Sequence, residues 1–219
     1  MLKYLYPGIL LSLLLIVSSC EKEKENPSTV SKPDVLEYMP MQKGNYWIYD
    51  CKRVDVSGNV HQLPKDCILI AKDTIIRGHT FSHFKHFSGN THQEFFDKYY
   101  RDSLEYVIDS TGNPVFAINH INDTLNTVYV KTVHNDTVYS THLIMQNTDN
   151  PVNVPAGTFF DALNARYDTY LTSQFFPNQQ NLELTSPHYY KKGVGLIYYE
   201  LTYSIGEKKL YYLANYHLE

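Results

Sequence analysis

From Tyr46 onward apolar and polar positions alternate with a period of two, in runs rich in β-branched and aromatic residues that Gly, Asn, Asp and Pro cut at short intervals. This is the pattern of half-buried strands joined by hairpins. No helical stripe extends beyond about ten residues, the length at which helices overtake strands. The expected fold is therefore all-β, a curled antiparallel sheet or open half-barrel with little or no helix. Strands are expected over 92–101, 104–109, 125–133, 137–146 and 160–171, and 173–187 reads as a long polar loop. In the last hairpin a two-residue Gly206-Glu207 turn would pair Ile205 with Lys208, Tyr203 with Leu210, Leu201 with Tyr212 and Tyr199 with Ala214.

Tyrosine doublets recur at Tyr99-Tyr100, Tyr189-Tyr190, Tyr198-Tyr199 and Tyr211-Tyr212. In a strand each doublet sends one ring to either face of the sheet. Two uses are open for these rings: cross-strand packing on both faces, or an aromatic-lined concavity for an apolar or sugar ligand. Trp47, the only tryptophan, is expected to anchor the core.

Cys51 and Cys67 flank the turn signal Ser57-Gly58-Asn59. A hairpin with its tip at Gly58-Asn59 sets the two roughly opposite each other, within disulfide range. An oxidising compartment would preserve the bond, so a disulfide is expected in preference to two free thiols. His79, His83 and His86, with His92 nearby, would share a face only on a helix. On a strand His79 and His83 lie about 13 Å apart and His86 points to the other face, so no metal site and no cofactor are expected.

The first residues supply the compartment. Lys3 precedes an apolar run over 9–17 that is too short to span a bilayer, and Ser18, Ser19 and Cys20 follow. A positive start, a short apolar stretch and small residues make a signal peptide over residues 1–19. Residues 20–35 are charged and then Pro/Ser-rich, as in a flexible tether, and a single β domain is expected over 36–219.

The chain has 219 residues, 43% hydrophobic and 14% aromatic, which suits one globular domain of that size. A formal charge of -4 gives no electrostatic reason to expect nucleic acid as a partner. The sequence holds no G-x-S-x-G elbow, H-E-x-x-H signature or phosphate-cradling loop, and an enzyme is not expected.

Two resemblances add to this reading. Val17-Ser18-Ser19-Cys20 resembles the bacterial lipobox, which implies that Cys20 is acylated and becomes the mature N-terminus. Several acyl chains anchor a protein stably, which makes the membrane a partner. The acidic residues after Cys20 resemble the surface-export signal of Bacteroidetes-type lipoproteins, so both faces of the outer membrane stay open as the location. Asp-Ser/Thr tripeptides such as Asp123-Thr124-Leu125 look like O-glycosylation acceptors of the same group, although Asp-Thr also commonly ends a turn before a strand. The patches Met39–Tyr49, Val154–Phe159 and Gly193–Leu196 resemble a group of uncharacterised bacterial lipoproteins, which implies a LolA/LppX-like half-barrel whose concave side shelters acyl chains. That family fills its concavity with helices, for which this sequence has no clear equivalent.

The expected function is that of an anchored, non-enzymatic binding or scaffolding module. Its ligand would be apolar or amphipathic, with Trp47, Tyr199, Leu201 and Tyr203 as the lining. Surface-exposed binding of glycans or proteins through outward aromatics and the 173–187 loop is the alternative. A bare edge strand pairing with a partner is a third reading.

Overall fold

The computed structural model describes residues 34–89, 93–178, 184–203 and 206–219. The expected signal peptide, Cys20 and most of the tether lie outside them. Strands run in chain order β1 (Tyr46–Val54), β2 (Val60–Ile76), β3 (His79–Ser88), β4 (Gln93–Ser103), β5 (Tyr106–Asp109), β6 (Pro114–Ala117), β7 (Thr124–Lys131) and β8 (Thr137–Asn147). They continue as β9 (Val152–Val154), β10 (Gly157–Phe159), β11 (Leu163–Leu171), β12 (Leu184–Lys191), β13 (Gly195–Thr202) and β14 (Lys208–His217). Twelve of them form one antiparallel sheet in the order β6-β5-β4-β3-β2-β1-β14-β13-β12-β11-β8-β7. β9 and β10 make a separate hairpin around the two-residue Pro155-Ala156 turn. The all-β expectation holds: the sheet is nearly closed into a barrel, and no α-helix occurs among the described residues, which begin with a 3-10 turn at Val35–Glu37.

From β1 to β6 and from β11 to β14 consecutive strands pair, as do β7 and β8, while β8 pairs with β11 past the β9–β10 hairpin and β1 pairs with β14, so the two ends of the chain meet mid-sheet. Closure falls to the link between the sheet's outermost strands, β6 and β7. Along that link Ile121 bridges Met145 of β8, and the Asn122 amide donates to the Met145 carbonyl at 2.7 Å. Elsewhere the seam stays open. Tyr100–Ser103 of β4 pair with β5, but among the described pairings the preceding part of β4 reaches only β3, and β7 reaches only β8.

A strap ahead of β1 covers one end of the barrel. Val35, at the end of the expected tether, is fully buried, and Met39 is nearly so. Both pack with Phe116, Leu143, Met145 and Tyr190. Backbone bonds fix the strap's course: the Gly193 amide donates to the Glu37 carbonyl at 2.7 Å and the Gly44 amide to the Ile70 carbonyl at 3.0 Å.

One loop geometry closes four hairpins. In Asp55–Asn59, 109–113, 132–136 and 203–207 the first residue's amide donates to the fifth residue's carbonyl, and its carbonyl accepts from the fourth residue's amide. The fourth residues, Gly58, Gly112, Asn135 and Gly206, all have positive φ. This is the three-residue loop with a terminal bulge, which puts glycine at the end of the loop.

That geometry corrects the last hairpin. Lys208 pairs with Thr202, Leu201 with Lys209 and Tyr199 with Tyr211, while the Tyr203 amide donates to the Glu207 carbonyl; Ile205, expected opposite Lys208, lies outside the described residues. It also corrects the disulfide. Cys51 pairs with Leu63, and a bulge between Tyr49 and Cys51 then brings Cys67 opposite Ile48. Cys51 shares the buried face of Trp47 and Tyr49, whereas Cys67 alternates out of register with buried Asp66. Both are free thiols. The long polar loop is shorter than expected as well, because Leu184–Pro187 already belong to β12.

Candidate functional site

The inward side chains do not fill the barrel. They leave a cavity of about 520 Å³ against the strap residues Met39 and Pro40. The tyrosine doublets explain much of its wall. Tyr100, Tyr190 and Tyr199 line it, while their partners Tyr99, Tyr189 and Tyr198 fall on the alternate face of the sheet. Tyr199 lies flat on Tyr211, with centroids 4.0 Å apart, and Tyr49 meets it edge-on at 5.3 Å. Phe84 stands edge-on to Tyr100 across β3 and β4. Lys98, exposed on β4 beside the open seam, also borders the cavity, which therefore reaches solvent there.

Of the four residues expected to hold a ligand, three reach this space. Trp47 and Tyr199 are buried in its wall and Leu201 borders it. Tyr203 does not. It lies past the end of β13 with 40% of its surface exposed and serves the hairpin loop. Sequence reasoning missed Tyr49, Phe84, His86 and His188. Tyr49 was available from its parity with Trp47. His188 shares a strand face with Tyr190, a signal hidden by treating the stretch up to 187 as loop.

Two polar atoms of the wall are satisfied by backbone. Trp47 Nε1 donates to the Val194 carbonyl at 2.7 Å, and the Tyr49 hydroxyl donates to the Leu196 carbonyl at 2.9 Å. His86 Nε2 faces Asp66 Oδ2 at 3.3 Å, both nearly buried. Burial raises the Asp66 carboxyl, but hydrogen bonds from His86, Ser88 and the Gly89 amide outweigh it and hold the pKa below the ordinary value. The Tyr199 hydroxyl and His188 Nε2, in two of the lining residues, have no hydrogen-bond partner and almost no accessible surface.

The interior favours uncharged forms. Burial pushes the Tyr167 phenol up to about 12 and raises Tyr190 and Tyr199 well above the ordinary value. His188 is pushed down to about 4, also by burial, with a backbone hydrogen bond to Glu200 acting against that shift. The Cys51 thiol is pushed up to about 12, by burial first and by Asp66 second.

The other histidines scatter. His79 is exposed at the start of β3, His83 stacks on Tyr99 at 4.6 Å, and His86 faces the cavity. His92 lies outside the described residues. Among the described residues no group of three His, Cys, Asp or Glu side chains converges on a metal-sized point.

On the outer face Tyr189, Tyr198 and Tyr212 form a ladder across three strands, with centroids 5.7 and 5.0 Å apart. Lys52 lies over the Tyr212 ring, and Glu200 accepts from Tyr198 and from Lys208.

No family model matches the chain, and no curated protein matches it. Two solved structures are similar in backbone. One is a protein from Bacteroides fragilis described as exported and of YmcC-like fold, with 10% identity, a TM-score of 0.49, and 81% of this chain and 97% of that one covered. The other is a protein from Parabacteroides distasonis described as a lipoprotein, with 12% identity, a TM-score of 0.47, and 81% and 96% covered.

Proposed function

We propose that this chain is a non-enzymatic binding module of the cell envelope, anchored in the outer membrane through acylated Cys20, whose barrel interior shelters an apolar or amphipathic molecule. The observation that carries this reading is the cavity of about 520 Å³ walled mainly by aromatic and aliphatic side chains. Its size falls within the range of about 300–1,000 Å³ usual for small-molecule sites, and its composition, apolar with a few placed polar groups, is theirs too. The same interior supports a binding role over a catalytic one. The buried thiol and phenols stay protonated near neutral pH, so none is an activated nucleophile.

Native mass spectrometry of the protein extracted from its membrane tests the reading. A retained small hydrophobe that organic extraction removes is the expected result. A species at the polypeptide-plus-anchor mass alone, with no uptake of added amphiphiles, would overturn it. Globomycin, which blocks lipoprotein processing, tests the anchor: precursor should accumulate with its leader attached.

A second reading rests on the outer tyrosine ladder beside Lys52 and Glu200. Flat rings flanked by polar groups suit stacking against sugar rings. Glycan-array binding lost in Tyr198→Ala, with the cavity ligand retained, would favour it.

A further inference from the structure

We propose that the cavity takes an anionic amphiphile, an apolar body whose acidic headgroup is held at the cavity mouth by Lys98. The proposal rests on the binding reading above and names the charge of the molecule bound.

The charges of the wall are of one sign. Among the described residues that line the cavity, Lys85 and Lys98 carry the formal charges, and none is an aspartate or a glutamate. Two carboxylates on these and the neighbouring strand are engaged elsewhere. Asp97, opposite Lys85 in register, faces His83 at 3.1 Å. Asp66 is held by His86 and by the Gly89 amide.

Register explains why a lysine stands on this wall. Lys98 pairs with Phe84 and lies two residues from Tyr100, so it belongs to the inward row of β4. Phe84 and Tyr100 both line the cavity, and their rings meet edge to face 5.1 Å apart. As a packing residue a lysine is out of place on that row, because a buried ammonium is costly. The open seam resolves the conflict. Lys98 is exposed while it borders the cavity, so its methylene stem follows the wall and its charge stays in water. Met39 and Pro40 of the strap, with Val115 and Leu196, keep the rest of the space apolar. The cavity is therefore itself amphipathic, with an apolar interior and a cationic mouth.

A ligand matches this layout when its body fills the interior and its headgroup stops at the seam. There a carboxylate or phosphate stays hydrated, avoids the cost of a charge among buried phenols, and gains charge-assisted hydrogen bonds from the ammonium. An ammonium has three hydrogens to give, so it serves a ligand together with a protein partner. A neutral headgroup gains only ordinary hydrogen bonds, and a cationic one is repelled.

Trp47 reports on occupancy, being the only tryptophan and part of the wall. Its fluorescence in the purified full chain is titrated near neutral pH, where carboxylates are ionised, with decanoate, decyl phosphate, decanol and decyltrimethylammonium. At least one anion is expected to bind about tenfold more tightly than decanol, the equivalent of about 1.4 kcal/mol, and the cation more weakly than decanol. The tighter anion tells a carboxylate headgroup from a phosphate. Lys98→Met, which keeps an apolar stem, should bring that anion to within about threefold of decanol, whereas Lys98→Arg, which keeps the charge, should retain the preference. Decanol binding as tightly as both anions overturns the proposal and leaves the cavity reading standing, as does an anion preference that survives Lys98→Met. Absence of binding by all four amphiphiles instead overturns the cavity reading itself, and this proposal with it. The wild-type comparison decides the matter even if a variant does not fold.

Discussion

The indole of Trp47 lies against the α-carbon of Gly195 so closely that a β-carbon there would sit 3.0 Å from the ring. Gly195 also has φ of +100°, a conformation L side chains rarely adopt. Position 195 is therefore closed twice, by space and by backbone. The contact fixes the rotamer in which Trp47 Nε1 reaches the Val194 carbonyl and the ring faces the cavity.

Gly195→Ala should lower unfolding free energy by about 2–3 kcal/mol, since strain and overpacking act together. Urea denaturation followed by Trp47 fluorescence checks this. A loss below about 0.5 kcal/mol would show that the strand end adjusts freely.

Cys51 and Cys67 point to opposite faces of the sheet, so the protein should remain reduced in an oxidising compartment. Thiol titration of unfolded, unreduced protein should find both sulfhydryls, and dithiothreitol should leave the melting temperature unchanged. Cys51→Ser should destabilise by about 1–3 kcal/mol, because it places a hydroxyl in the buried cluster of Tyr49, Tyr199 and Leu213. Cys67→Ser, half-exposed, should stay within about 0.5 kcal/mol.

Strand positions and inward faces were legible in the sequence because side-chain alternation is a local property. Parity puts Tyr199 and Leu201 on one face, which the structure turns inward, and the same parity extends to Tyr203, where the strand has already ended. Pairing register was not legible, and one cause accounts for both errors. A glycine after a polar residue suggests the tip of a tight turn, whereas Gly58 and Gly206 are each the last residue of a three-residue loop. That moves each hairpin's axis toward the N-terminus, and the bulge after Tyr49 adds a further residue's slip. The cavity was half legible. Its residues come from strands that meet only when the sheet curls, and no local pattern says that His188 will stand beside Tyr199.

Stability should depend on pH through His188. Burial holds its pKa at about 4, below the usual value of about 6.5 in an unfolded chain. Between those values the unfolded chain binds a proton that the folded chain refuses, so stability rises with pH across this window and is fully present above it. The swing is up to about 3 kcal/mol. Urea midpoints for the wild type should fall as pH drops from about 7 to about 4, and His188→Leu should flatten that slope. Equal slopes in the two proteins would mean that His188 is protonated as readily folded as unfolded.

The shared hairpin loop yields two substitutions of opposite sign. Asp109 Oδ1 accepts from the Thr111 amide and hydroxyl and from the Asn113 amide, at 2.6–3.0 Å, and these bonds hold the loop in its turn conformation. Asp109→Ala should cost about 1 kcal/mol, and Asp109→Asn, which keeps an accepting oxygen, should recover most of it. Asn135 fills the glycine position of the 132–136 loop at φ of +69°. Asparagine tolerates this conformation, but glycine holds it without a β-carbon penalty, so Asn135→Gly should raise stability by up to about 1 kcal/mol. The side chain also accepts from Lys131 Nζ at 3.0 Å, an exposed contact too weak to reverse the sign. Thermal unfolding of the two variants beside the wild type checks both. A drop in the melting temperature of Asn135→Gly would show that the Lys131 contact outweighs the backbone term.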